Sequence, residues 1–192
     1  MSKNSSIVFL LLLFFVENGI IKAQSDSDSK KIIELLTKQN EALQHRLDVL
    51  EKMTDDVLWF QRVGDVAFVD KIFHTGPPLW KEKNPDGQGA GNPVKIWSYV
   101  FIPKNAVEGK KYPLMVLPHG GVHASFDTYY THIIRELVTQ GYIVVANDYR
   151  GSTGYGSSMY RKIDYGGLET EDVFASKQVM CESYDIVDSN RV

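Results

Sequence analysis

Two short runs decide the fold: Leu114-Met115-Val116-Leu117, followed by Pro118-His119-Gly120-Gly121, and Ile143-Val144-Val145-Ala146, followed by Asn147-Asp148-Tyr149-Arg150-Gly151. Each is wholly apolar and ends close to a glycine-bearing turn. A strand without a polar face has no side to offer water, so both of its faces lie under other elements. Between the two runs, Thr128 to Gln140 reads as a helix, with Asp127 as its N-cap and Gly141 just past its end. Ile133, Ile134, Leu137 and Val138 form the face it buries. Leu168 to Tyr184 reads as a second helix, with Glu169, Glu171 and Asp172 in its first turn, where the helix dipole favours acid. Apolar strands alternating with helices predict an α/β domain, with a mostly parallel sheet and helices on both faces.

Upstream the pattern changes. Asp65 to Phe73 and Lys95 to Ile102 are rich in β-branched and aromatic residues, as strands are. Between them the 74–94 stretch holds Pro77, Pro78, Pro85, Pro93, Gly87, Gly89 and Gly91, so a loop is expected there. Lys30 to Leu58 contains neither Gly nor Pro. Leu36, Leu43, Leu50 and Val57 recur seven apart, and Ile33, Asn40, Leu47 and Thr54 follow the same period. Two readings of this amphipathic helix stay open: a coiled coil joining chains, with Asn40 setting the register, or a helix lying on its own domain.

Ahead of that helix, Ser25 to Ser29 (S-D-S-D-S) reads as a polar linker that caps it. The first 23 residues have the layout of a signal peptide: Lys3, the apolar run Ile7 to Val16, and Ala23-Gln24 at the expected cleavage point. Ten apolar residues are too short for a helix to cross ~30 Å of hydrocarbon. The expectation is export to the periplasm or the cell exterior, with no stable membrane insertion after cleavage. The expected plan is therefore a signal at 1–23, a linker at 24–29, a helix at 30–58 and a domain at 64–192.

Composition narrows the function classes. With 43% hydrophobic and 23% charged residues in a chain of 192, intrinsic disorder and a polytopic membrane protein are both excluded. The net charge is -3, and acidic and basic residues are interspersed. No basic stripe exists to neutralise a phosphate backbone, so no nucleic-acid partner is expected. A single cysteine, Cys181, excludes an internal disulfide and Cys-rich zinc sites; among apolar neighbours it reads as an inert thiol.

In an open α/β sheet, the loops at strand carboxyl ends line the ligand crevice. Gly120 and Gly121 there let the backbone turn sharply and present bare N–H groups. Such donors stabilise an oxyanion in acyl transfer, each worth about 3–4 kcal/mol. The same pair also suits a tight turn with no ligand. His119 and His123 stand four apart, but Gly-Gly between them opposes the helix a zinc pair would use, and no metal is expected. Tyr149 to Gly156 reads G-x-x-G-x-G after its arginine, not a dinucleotide fingerprint, so no cofactor is expected. Neither Ser152 nor Ser158 lies in G-x-S-x-G. Asp172 reads as a support of its helix end.

Together, P-H-G-G at 118–121, Y-R-G-S-T-G-Y-G at 149–156 and G-G-L-E-T-E-D-V at 166–173 resemble the opening half of the catalytic domain of the prolyl oligopeptidase family. These are α/β-hydrolase serine peptidases, and the resemblance covers about Lys95 to Val192. It implies an incomplete α/β-hydrolase sheet and cleavage of peptide or ester substrates through an acyl-enzyme. It also implies that Gly121 supplies an oxyanion N–H, that Gly120 shapes the loop, and that His119, Arg150 and Asp172 support the site.

The family's triad runs Ser, Asp, His, with the Ser on G-x-S-x-G after the next strand. Asp188 to Val192 resembles the opening of that strand, which is expected to pair with Leu114 to Leu117. No nucleophile, triad Asp or triad His is therefore assignable, and the 192-residue chain alone is expected to be inactive. Family members usually carry a β-propeller ahead of this domain. Residues 24–94 are too few for one, so peptide selectivity does not carry over. Two other function classes stay open: a non-catalytic binding or assembly module, with the 30–58 helix as its working part and a homo-oligomer as its form, and a small-ligand or metal-binding α/β protein.

Overall fold

The computed structural model describes residues 3–79, 84, 86, 88 and 90–192, with side chains from residue 27 onward. Met1–Gln44 and His45–Val192 form two compact units. The described part of the first unit is helix, belonging to α1 (Lys3–Val63). Ser25 to Ser29 lies inside α1, where the sequence predicts a linker. No Gly or Pro interrupts residues 20–63, and ion pairs one turn apart, Lys31 with Asp28 and Lys38 with Glu34, suit a helix. The side chains of the expected export signal lie outside the described residues. Among the described residues no helix is long and apolar enough to cross a membrane.

The second unit is built on a five-stranded sheet. Its strands are β1 (Ala67–Pro78), β2 (Pro93–Pro103), β3 (Tyr112–Val116), β4 (Ile143–Asp148) and β5 (Val187–Asp188), in the order β1-β2-β4-β3-β5. The sheet is mixed, not mostly parallel. β1 pairs with β2 and β2 with β4 in antiparallel fashion, whereas β3 runs parallel to β4 and β5. Parallel neighbours need a crossover of a dozen or more residues, usually through a helix. That crossover is supplied by α2 (Thr131–Thr139) between β3 and β4, and by the short α3 (Gly156–Tyr160) and α4 (Leu168–Ser183) between β4 and β5. The all-apolar pattern that signals such strands belongs to this half of the sheet alone. β1 also runs on to Pro78, into the expected loop, with a register irregularity at Gly76/Pro78.

The predicted caps are present. Asp127 accepts from the Tyr129 N–H at a 3-10 turn, Thr128–Tyr130, which leads into α2, and Gly141 follows the helix with φ +89°. β4 is buried along all of its length and extends beyond Ala146 to Asp148. β5 takes its place beside β3 through Tyr112 and Val187, and the Leu114 N–H donates to the Arg191 carbonyl. The ladder thus lies at Tyr112 and Pro113, ahead of the expected Leu114 to Leu117 run, which the segment meets at Leu114.

Both faces of the sheet are covered. On one, Phe101, Val144 and Ala146 pack against Trp59 and Val63 of α1 and Ile134 and Val138 of α2. On the other, Val100, Val145 and Leu114 pack against Met180 of α4. The docked face of α1 is set by Lys52, Asp55, Asp56, Trp59 and Val63, which recur at three- and four-residue spacing. The heptad residues are elsewhere: Leu47, Leu50 and Val57 in this unit are all more than half exposed. So the part of α1 within the second unit, residues 45–63, packs on the sheet, but not through the stripe that its periodicity marks.

Candidate active site

β3 and β4 run side by side in the same direction, so their carboxyl ends open on one edge. From β3 comes the loop at 118–126, from β4 the string at 149–156. Gly121 is exposed and turns at φ +82°, left-handed backbone in which an L side chain is strained. The Gly120 N–H donates to Tyr130 Oη at 3.1 Å. Among the described residues the Gly121 N–H meets no acceptor. Of the two glycines, Gly121 is therefore the one with a donor to offer.

The string after β4 cages this loop. Tyr149 donates its hydroxyl proton to the Gly121 carbonyl, and its ring stacks on His119 with centroids 4.2 Å apart. His123 Nδ1 lies 2.8 Å from the Gly151 carbonyl, and the Thr153 N–H donates to the Ala124 carbonyl at 2.8 Å. Tyr149, Ser152 and Thr153 are supports that sequence reasoning passes over. The signal was their place in the Y-R-G-S-T string, but a side chain reaching back some thirty residues leaves no mark on local spacing.

His119 and Ser152 form a contact that mimics part of a catalytic triad. His119 Nε2 lies 2.8 Å from Ser152 Oγ and 3.8 Å from Asp148 Oδ1. Ser152 Oγ in turn donates to the Tyr149 carbonyl at 2.6 Å. The hydroxyl is thus held between the imidazole and the Tyr149 carbonyl, while His119 Nδ1 lies 3.3 Å from the Gly120 carbonyl. Ser152 is also fully buried. Burial pushes the His119 imidazole below its ordinary pKa against the pull of Asp148, so the ring is neutral. His74 and Ser98, 3.1 Å apart on β1 and β2, repeat the pattern in another buried place. Both pairs are structural.

Arg150 and Asp172 belong to the framework. Asp172 accepts from the Arg150 N–H, Nε and Nη2, and Nη2 also donates to the Pro77 carbonyl. These bonds tie the end of β4 to α4 and to the end of β1, and none of them reaches the 118–126 loop. Among the described residues no cluster of His, Cys, Asp or Glu could hold a metal ion. Cys181 is half-buried and packs beside Met180 on the α4 face.

A buried histidine, a tyrosine lock and an exposed glycine whose N–H meets no acceptor among the described residues make a loop suited to holding an oxyanion. The family match begins just after this loop. Residues 128–192 match the prolyl oligopeptidase family. The matched stretch holds α2, β4, the 149–156 string, α4 and β5. The acylamino-acid-releasing enzyme of Mus musculus is 36% identical over 133 residues, covering 68% of this chain and 17% of that enzyme. The probable dipeptidyl-peptidase 5 of Aspergillus flavus is 34% identical over 104 residues, covering 52% of this chain and 14% of its own. Among solved structures, a puromycin-hydrolyzing peptidase of Mycobacterium tuberculosis is 28% identical, with a TM-score of 0.47, covering 61% of this chain and 18% of that one. The chain thus spans less than a fifth of the length of the prolyl oligopeptidase-type relatives it matches.

Proposed function

We propose that these residues form the oxyanion-loop half of the catalytic domain of an exported serine hydrolase of the prolyl oligopeptidase type. Its reaction is cleavage of a peptide or ester bond through an acyl-enzyme. The observation that carries this reading is Gly121, exposed beyond the carboxyl end of β3, its N–H without an acceptor among the described residues and its carbonyl locked by Tyr149. In acyl transfer the carbonyl oxygen gains charge as the nucleophile adds, and a donor held rigidly in place needs no reorganisation to meet it. Ser98 and Ser152 are buried, and Ser152 Oγ donates to the Tyr149 carbonyl, so neither is offered as the nucleophile; on this reading the triad is supplied beyond Val192. Export rests on the apolar run at Ile7 to Val16 behind Lys3.

A fluorophosphonate probe tests this division of labour. The purified 192-residue chain should take no label. The product of the longest reading frame encoding these residues should be labelled at one serine beyond Val192. Label on a serine within 1–192, or none on the longer product, overturns the reading.

A second reading concerns assembly. Ile33, Leu36 and Leu43 in the first unit and Leu47, Leu50 and Val57 in the second are 53–69% exposed, although they are the apolar heptad positions of α1. We read them as the seam of a homo-oligomeric coiled coil, with Asn40 in its register-setting position. Sedimentation velocity should show a dimer or higher oligomer that reverts to monomer in a Leu43→Asp/Leu50→Asp variant. A wild-type monomer at tens of micromolar ends this reading.

A further inference from the structure

The 118–126 loop leaves β3 at Leu117, whose N–H donates to the Val145 carbonyl, and ends at Phe126 just before the Asp127 cap. Neither glycine lies in a ladder, so the loop's position depends on bonds from outside it: the string after β4 holds its middle, and its far end is held at Phe126. At Phe126 both backbone groups are taken by side chains. The N–H donates to Asp148 Oδ1 at 2.6 Å, and the carbonyl accepts from Lys52 Nζ at 2.5 Å. Lys52 and Asp148 also pair with each other at 2.8 Å, with side chains 3% and 0% exposed. One turn along α1, the Asp55 carboxylate takes the Thr128 N–H and hydroxyl. The Phe126 ring stacks between Trp59 of α1, at 5.6 Å, and Tyr130, at 4.5 Å.

We propose that Lys52 is a positioning residue, which together with Asp148 clamps Phe126 and thereby sets where the loop carries Gly121. The inference rests on the reading of that loop as an oxyanion site. Cohesion alone does not account for the pair. Taking an ammonium and a carboxylate out of water is costly, and an apolar pair of similar volume fastens two elements at least as well. What an apolar pair cannot do is satisfy the N–H and carbonyl of a residue that has no ladder partner. The same carboxylate lies 3.8 Å from His119 Nε2, so its charge stands between the two ends of the loop. The string after β4 makes room for the clamp. Gly154 has φ +84°, and a Cβ there would lie 2.7 Å from Lys52 Cβ.

Amide hydrogen exchange on the 192-residue chain tests the clamp without requiring activity. Lys52→Met strands the buried Asp148 without its cation and puts folding itself at risk, so Lys52→Met/Asp148→Asn, which removes both charges, is the deciding variant. Exchange at residues 119–128 should accelerate at least tenfold, while exchange at Val144 to Ala146 changes less than threefold. Unchanged loop exchange, or acceleration by the same factor in β4, overturns the proposal, since a merely cohesive pair would loosen both alike. Probe labelling of the longer product reads the oxyanion assignment separately. Faster loop exchange with no labelled serine in the wild-type longer product keeps the clamp and removes the oxyanion role.

Discussion

Arg150 and Asp172 form a two-point ion pair with no solvent exposure: Nε and Nη2 of the guanidinium lie 2.7 and 2.8 Å from the two carboxylate oxygens. The pair closes the seam between β4 and α4. Arg150 also reaches the Pro77 carbonyl, so three elements meet on one side chain. Removing one partner strands the other charge in the interior, a loss of about 3–5 kcal/mol. Arg150→Met and Asp172→Asn are each expected to fall in or near that range by urea denaturation. The double variant should lose less than the sum, and added salt should alter the wild type little, because buried pairs are weakly screened.

The glycines of the two turns are expected to differ sharply in tolerance. Gly120 has no positive φ, and a Cβ there would meet only Tyr130 Oη at 3.9 Å, so Gly120→Ala should leave stability within about 0.5 kcal/mol. Gly121→Ala forces a side chain into left-handed backbone and should cost roughly 1–2 kcal/mol. Gly154→Ala adds a clash with the Lys52 stem to the same strain, about 2–4 kcal/mol in all. Chemical denaturation of the three variants should return this order.

Acid should destabilise the domain earlier than its carboxylates alone would. Burial pushes the imidazoles of His74 and His119 below their ordinary pKa, opposed by Asp172 and Asp148 respectively. In the unfolded chain both protonate near pH 6.5, so below that value the unfolded state binds more protons than the folded one. Stability is therefore full above about pH 7 and declines as pH falls through 6.5. Thermal melts should show a plateau from pH 7 to 8.5 and a lower Tm at pH 5.5, and a Tm that rises on acidification contradicts this.

Trp59 is fully buried among Phe101, Tyr99 and Phe126, yet its indole Nε1 has no hydrogen-bond partner among the described residues. Its contribution is packing, not polarity. Trp59→Ala should cost about 3–5 kcal/mol through the cavity it leaves. Trp59→Phe should cost less than half of that, since it keeps a stacking ring and sacrifices no hydrogen bond. Equal losses in the two variants would show that the N–H matters.

The helix α1 marks the limit of local reading. Its heptad period is plain, but the period marks the stripe that stays exposed. Lys52 stands in the middle of the opposite stripe, where a lysine ordinarily faces water. Its partner Phe126 lies 74 residues away, and no spacing rule connects them. The same holds for Ser152 and His119, whose meeting needs β3 and β4 to be neighbours first.

From the sequence alone follow the apolar strands at Leu114 and Ile143, the helix capped by Asp127 and ended at Gly141, the glycine loop at a strand end, and the motif order that places it in a family. Each of these depends on periodicity, capping or allowed φ within a few residues. The tertiary structure alone decided that the sheet is mixed, that Arg150 clasps Asp172, and that the Gly120 N–H is taken by Tyr130. It also decided that Lys52 is buried. The physical reason is one of range: strand direction, burial and hydrogen-bond pairing are set by groups distant along the chain, which only the packed fold brings within contact.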